Sequence, residues 1–258
     1  MFSLGFMEKI ELRSDGNSLA GKLLIPDGAK KGIVLAHSFR NDMEEPVIEE
    51  ARKFFSTSGY ATLAFDFVGH GKSEGRLREV NYRTISNNLE STIRFLREKG
   101  VEKIGFYGIS LGTLAFAYAN EKVDACILLS PTPLVDPRLL SERYSKDIDS
   151  QKDFLIKEGF AKVKSGSGRG FFEMGLEWIN DMRHDEGWAP GKIKDLGMPV
   201  KVFYGSEDGL AKKEDYSAFV DRFNFPSICV KGADHNFSNG DYIFGVLESS
   251  LEFFGEHL

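Results

Sequence analysis

The sequence predicts an α/β fold with a mostly parallel central sheet and helices on both faces, and three observations predict it. Short apolar runs of the kind that fill a sheet buried on both sides recur at 31–36, 61–67, 103–107, 123–130, 199–205 and 227–231. Helical patterns separate most of them, which is the alternation that builds parallel sheets. One interval, 132–197, breaks that rhythm with charges, glycines and both tryptophans, so we expect an insertion within a single domain spanning 1–258.

Each element has a local reason. Residues 8–14 and 19–26, separated by Asp15-Gly16-Asn17, predict an antiparallel pair. Pro46 suits the first turn of a helix running to about Ser58. Ile85, Leu89, Ile93 and Leu96 stack on one helical face, and Gly100 follows as the C-terminal cap. KEDYSAFVDRF (213–223) and residues 241–255 predict two more helices. Inside the insertion, GFAKVKSGSGRGFFEM (159–174) predicts a β-hairpin, GLEWINDMR a helix, and SERYSKDIDSQKD a solvated helix face.

Composition excludes several classes. At 258 residues and 41% hydrophobic content the chain can bury a full core, and its net charge of -6 offers no basic stripe for nucleic acid. Cys126 and Cys229 lie in apolar strand-like runs and read as buried thiols, not as a disulfide framework. The start, MFSLGFMEKI, has neither the basic region nor the apolar length of a secretion signal, and no uncharged run is long enough for a bilayer. A cytoplasmic protein that binds no membrane is expected; its oligomeric state stays open, a homodimer included.

The chemistry centres on IGFYGISLGTLAFAY (104–118). Gly108-Ile109-Ser110-Leu111-Gly112 joins a strand to a helix almost without a loop, a sharp turn that holds a hydroxyl at the carboxyl end of the sheet. Gly-x-Ser-x-Gly is a weak signal alone in a chain with 27 glycines, so its strand, turn and helix context carries the inference. A serine needs a base, and the base needs a third group to orient it. Of five histidines, His235 follows the last core strand in SICVKGADHNF, again at a carboxyl end. The strand before it ends in FYGSEDGL, which offers Glu207 and Asp208. Asp208 sits where a strand-end loop can aim at the far nitrogen of His235, whereas Asp234 adjoins His235 and is expected to point away. The order Ser110, Asp208, His235 completes a candidate catalytic set.

At these residues the chain resembles the α/β-hydrolase family, and within it small esterases similar to feruloyl (cinnamoyl) esterases and related serine hydrolases. The resemblance rests on IVLAHSF, ATLAFDFVGHGKSEG, GISLG, FYGSEDGL and GADHNF, and covers nearly the whole chain except the insertion. It implies hydrolysis of small esters, short-acyl or hydroxycinnamoyl, through an acyl-enzyme on Ser110; the alternatives are another acyl-transfer enzyme on the same fold (thioesterase, peptidase or acyltransferase) and a non-catalytic binder that keeps the scaffold, against which the complete Ser, Asp, His set argues. It also implies an oxyanion hole from the amides of Phe39 and Leu111, and a lid over the site. Such proteins usually read His-Gly-x after the third strand; here the loop reads His37-Ser38-Phe39, so Ser38 departs from the pattern. The implied substrate is a small-molecule ester, with no metal and no organic cofactor needed. Within the aromatic-rich insertion, Phe160, Trp178 and Trp188 are the candidate substrate-binding side chains.

Competing signals fail on spacing. GHGKS suggests a phosphate loop, but a glycine is required five residues before Gly71 and position 66 is Asp66. Gly69 and Gly71 miss a dinucleotide fingerprint because position 74 is Glu74. This stretch is expected to be a glycine-rich turn, with Asp66 and His70 bonding nearby backbone.

Overall fold

A computed structural model describes residues 6–136, 138–165, 170–184, 193 and 197–258. The described strands form an eight-stranded sheet in the spatial order β1 (Glu8–Ser14), β2 (Asn17–Leu24), β4 (Ala61–Phe65), β3 (Lys31–Ala36), β5 (Lys103–Ile109), β6 (Ala125–Leu129), β9 (Val200–Gly205), β10 (Ser227–Val230). β2 is antiparallel to both its neighbours, and every pairing from β4 to β10 is parallel. Strand order reverses between β3 and β5. Their carboxyl ends therefore diverge into loops on opposite sides, leaving a crevice there.

Alternation along the strands divides the core into two layers. Ile33, Leu35, Tyr107 and Ile109 face α1 (Pro46–Thr57) and α9 (Gly240–His257). Val34, Ala36, Ile104 and Phe106 face α2 (Tyr82–Glu98), α3 (Leu111–Tyr118) and α8 (Lys213–Phe223). The helical stripe Ile85, Leu89, Ile93 and Leu96 is fully buried, as its spacing requires. Burying such side chains is worth about 1.5–3 kcal/mol each.

Several strand bounds shift from the apolar runs by one or two residues, and at β4 and β5 the cause is visible. β5 continues to Ile109 because Gly108 and Ile109 still pair with Leu128 and Leu129. β4 stops at Phe65, since the chain then turns: the Phe67 amide bonds the His37 ring and Val68 bonds the Asn88 side chain. Phe67 and Val68 stay apolar because they pack into the core from this loop.

Between β6 and β9 lie α4 (Thr132–Val135), α5 (Arg138–Asp149), α6 (Lys152–Glu158), the hairpin β7 (Phe160–Lys164) and β8 (Phe171–Gly175), and α7 (Leu176–His184). The hairpin and the GLEWINDMR helix appear where the sequence places them, whereas SERYSKDIDSQKD is divided between α5 and α6 by a turn at Ser150 and Gln151. α7 is tied to the start of α2 by acidic side chains: Asn81 Nδ2 donates to Glu177 (2.6 Å) and the Tyr82 amide donates to Asp181 (2.8 Å). Carboxylates at a helix N-terminus are favoured by the helix dipole. No helix among the described residues is long and apolar enough to cross a membrane.

Candidate active site

Ser110 occupies the one-residue turn between β5 and α3, with φ 48° and ψ -106°. A non-glycine residue in that region is strained, and such strain persists only where surrounding structure over-determines it. Here the Ser110 amide donates to Leu129 of β6 (3.0 Å), and its carbonyl accepts from the Thr113 hydroxyl (2.6 Å) and the Thr113 and Leu114 amides. The flanking glycines serve close approach instead of unusual φ. A Cβ on Gly112 would lie 2.5 Å from the Ala36 carbonyl at the end of β3, and one on Gly108 would overlap the Phe106 ring. The sequence places this serine on an exposed turn; in the fold it is only 7% exposed.

Asp208 and His235 meet directly. His235 Nδ1 lies 2.8 Å from Asp208 Oδ2, and the aspartate side chain is wholly buried. Gly205, ending β9, permits this, since a Cβ there would overlap the Ala233 carbonyl and lie 2.8 Å from that of Asp234. Oδ1 of Asp208 accepts the Leu210 and Ala211 amides, and Oδ2 also accepts the Tyr216 hydroxyl (2.7 Å). Burial by itself would raise the Asp208 carboxyl. The His235 bond and charge, the Tyr216 hydroxyl and the Leu210 amide outweigh it and hold the group below its ordinary value. An ionised carboxylate only accepts, so the Nδ1 that faces Asp208 carries a proton, and the ring's other nitrogen, Nε2, faces away from the carboxylate. Glu207 is exposed, and Asp234 points away, accepting the Ser238 amide (2.8 Å). Among the described residues no hydrogen bond joins Ser110 to His235.

Tyr216 escaped the sequence analysis. It lies on the apolar face of α8 with Phe219 and Val220, where a tyrosine reads as core. Its hydroxyl, donating to Asp208, accepts from Thr132 Oγ1 at 2.6 Å, which links α4 to the carboxylate.

The loop after β3 is held from both sides. The Ser38 carbonyl accepts His37 Nδ1 (2.7 Å), while His37 Nε2 accepts the Phe67 amide (3.1 Å), which fixes a neutral tautomer. Burial and the neighbouring His70 lower the His37 pKa to about 3. Because the Ser38–Phe39 peptide is trans, anchoring its carbonyl aims the Phe39 N–H the opposite way. Among the described residues neither the Phe39 nor the Leu111 amide donates to a protein acceptor. The Phe39 ring stacks on Trp178 (5.5 Å, 12°) and meets Phe172 and His70 edge-on.

Of the three aromatic candidates, Trp178 is thus buried beside Phe39, and its indole N–H has no hydrogen-bond partner among the described residues. Phe160 is buried against Phe154, with the Arg78 guanidinium 4.8 Å over its ring. Trp188 lies outside the described residues. The GHGKS stretch is a turn closed by Asp66, whose carboxylate accepts the Met43 and Lys72 amides and leaves no room for a Cβ at Gly71. His70 Nδ1 bonds the Val68 carbonyl.

Known proteins share this architecture. Among curated proteins, an acyl transferase of Shewanella woodyi is 23% identical over 205 residues, covering 76% of this chain and 64% of that protein. This chain thus spans a little under two thirds of that relative. The mitochondrial palmitoyl-protein thioesterase ABHD10 of Mus musculus is 23% identical over 240 residues, covering 90% of this chain and 76% of that one. Among solved structures, Est1E from Butyrivibrio proteoclasticus with bound ferulic acid matches with a TM-score of 0.78 at 20% identity, over 96% of this chain and 98% of that one. At that identity the structural likeness is one of fold. A family model described as the alpha/beta hydrolase fold matches residues 33–165, a stretch that holds the β3 loop and the Ser110 turn. By that match, and by a sheet whose strand ends carry Ser110, Asp208 and His235, the chain belongs to the α/β-hydrolase-fold family.

Proposed function

We propose that the protein is a serine hydrolase of small carboxylic esters. Ser110 is its nucleophile, His235 its general base and acid, Asp208 the orienting carboxylate, and the Phe39 and Leu111 amides its oxyanion donors. The observation that carries this reading is the 2.8 Å Asp208–His235 pair, which directs a basic Nε2 outward while a strained turn presents Ser110 two strands away. Ser110 Oγ attacks the ester carbonyl and passes its proton to Nε2. The two amides hold the oxyanion, and removing one such donor costs about 10²–10³ in kcat. Collapse expels the alcohol, which takes the proton from His235. Water then attacks the acyl group, its proton going to His235 and from there to Ser110 as the acid departs. The serine–histidine contact tightens as substrate arrives, a change common in catalytic sites.

The segment from 132 to 197 acts as a lid. Its described aromatic side chains, Trp178 and Phe160 among them, would form an apolar wall for a short acyl or hydroxycinnamoyl group. A second reading is acyl transfer or hydrolysis from a thioester, favoured by relatives named as acyl transferases and as a palmitoyl-protein thioesterase. Both readings keep the same acyl-enzyme, because fold and site do not set the leaving group.

Labelling with a fluorophosphonate, with and without Ser110→Ala, tests the nucleophile. A panel of p-nitrophenyl esters, methyl ferulate, acyl thioesters and a long-chain triglyceride then separates the readings. Turnover should rise with chain length and then fall, with methyl ferulate cleaved. A rate jump as triglyceride passes its solubility limit would overturn the small-ester reading, and preference for thioesters would select the second.

A further inference from the structure

Glu45 is a carboxylate that the proposed reaction does not use, and it is 6% exposed. It stands at the N-cap of α1, where a shorter side chain such as aspartate or serine ordinarily bonds the first amides of the helix. Its side chain makes no such cap. It turns back instead and takes three donors from one loop: the Ser38 amide (2.9 Å), the Ser38 hydroxyl (2.7 Å) and Asn41 Nδ2 (2.6 Å). Asn41 Nδ2 also donates to Ser38 Oγ (2.7 Å), so serine, asparagine and glutamate close a ring of hydrogen bonds. Glu45 has no lysine or arginine partner among the described residues; its neighbour Glu44 takes Lys22 and Lys72 at the surface. Burial raises the Glu45 carboxyl, offset in part by the Ser38 and Asn41 bonds and by the nearby His235 charge.

An unpaired buried carboxylate is costly unless its hydrogen bonds are complete. Among the described residues every hydrogen-bond donor to its carboxylate comes from residues 38 and 41, on either side of Phe39 and Arg40. Meanwhile the Ser38 carbonyl is held by His37 and by the Asn41 amide (3.3 Å). The peptide carrying the Phe39 N–H is thus clamped at its carbonyl by His37 and at the preceding residue by Glu45. The serine that stands where a glycine is expected supplies two of Glu45's three donors.

We infer that Glu45 is a positioning residue for the reaction: through Ser38 and Asn41 it sets the direction of the Phe39 amide toward the developing oxyanion. This rests on the serine-hydrolase reading above. A clamp on an oxyanion donor acts where charge develops, so it alters kcat and leaves ground-state binding nearly as it was.

The test compares Glu45→Ala, Glu45→Gln and Ser110→Ala in the full chain on one p-nitrophenyl ester, with thermal unfolding of each. An arylboronic acid serves as a tetrahedral-intermediate mimic. For Glu45→Ala we expect kcat to fall about 10–100-fold with KM within threefold, and boronate affinity to fall in parallel with kcat. Glu45→Gln keeps an acceptor oxygen and the side-chain volume, so it should recover part of the loss. A folded Glu45→Gln or Glu45→Ala protein with parental kcat and boronate affinity would overturn the inference, as would a rise in KM at unchanged kcat. The control separates the two levels. Turnover surviving Ser110→Ala defeats the serine-hydrolase reading itself, whereas its loss there beside parental Glu45 variants defeats only the role of Glu45.

Discussion

Gly205 at the end of β9 lies against Ala233 so closely that any Cβ on the glycine would overlap the alanine carbonyl. That contact presses the 231–239 loop onto the strand three residues before Asp208, and it sets the 2.8 Å approach of His235. Gly205→Ala should therefore push the loop away. We expect a loss of about 1–3 kcal/mol in stability, as for other overpacked sites, together with at least a tenfold drop in ester turnover. Urea denaturation and a p-nitrophenyl acetate assay check both; parental stability and turnover would show that the loop has slack.

Ser110 gives two opposed expectations. Ser110→Ala should lose several orders of magnitude in turnover, because members of such a set act as a unit. Stability should follow the backbone instead. At φ 48° a glycine escapes strain that serine and alanine share, so Ser110→Gly should be more stable than Ser110→Ala by about 1 kcal/mol or more and unfold at a higher temperature. Equal melting temperatures would mean that the turn stores no strain.

Three carboxylates near His235 should behave differently. Asp208→Asn should cripple turnover, whereas Glu207→Gln and Asp234→Asn should stay within threefold of the parent, since one is exposed and the other bonds Ser238. Tyr216→Phe removes a hydroxyl donor to the Asp208 carboxylate and leaves Thr132 without its acceptor. About 1–3 kcal/mol of stability should go with it. An Asp234→Asn protein as impaired as Asp208→Asn would reverse the assignment.

Acid should weaken the fold through two buried imidazoles. Burial lowers His37 to about 3, with His70 adding to the effect, and lowers His70 to about 4, against an ordinary 6.5 for both. The unfolded chain binds the extra protons between those values. The stabilising contribution is therefore complete above pH 6.5 and is lost as pH falls toward 4, at up to about 1.4 kcal/mol per pH unit for each histidine. Glu45 and Asp66, raised by burial, work in the opposite sense because their protonation favours the folded state. Urea midpoints from pH 7 to 4.5 should fall, and His70→Phe should flatten the slope. A flat parental profile would contradict the buried neutral assignment.

The pattern of Ser110 between Gly108 and Gly112, and the order Ser110, Asp208, His235, could be read from the chain because each residue lies at or a few residues past a strand's carboxyl end and strand ends are local features. Ile85, Leu89, Ile93 and Leu96 were legible for the same reason, since a helical stripe is written in spacing. Tertiary structure alone decided the rest. Glu44 and Glu45 are chemically identical neighbours, yet one meets Lys22 and Lys72 at the surface while the other turns inward to Ser38 and Asn41. Tyr216 reads as core until Asp208, Thr132 and α8 are brought together. Trp178 reaches Phe39 only because Glu177 and Asp181 dock α7 on the start of α2. Periodicity records which face of an element is buried, and it carries no record of which distant backbone groups will need a partner once that face is packed.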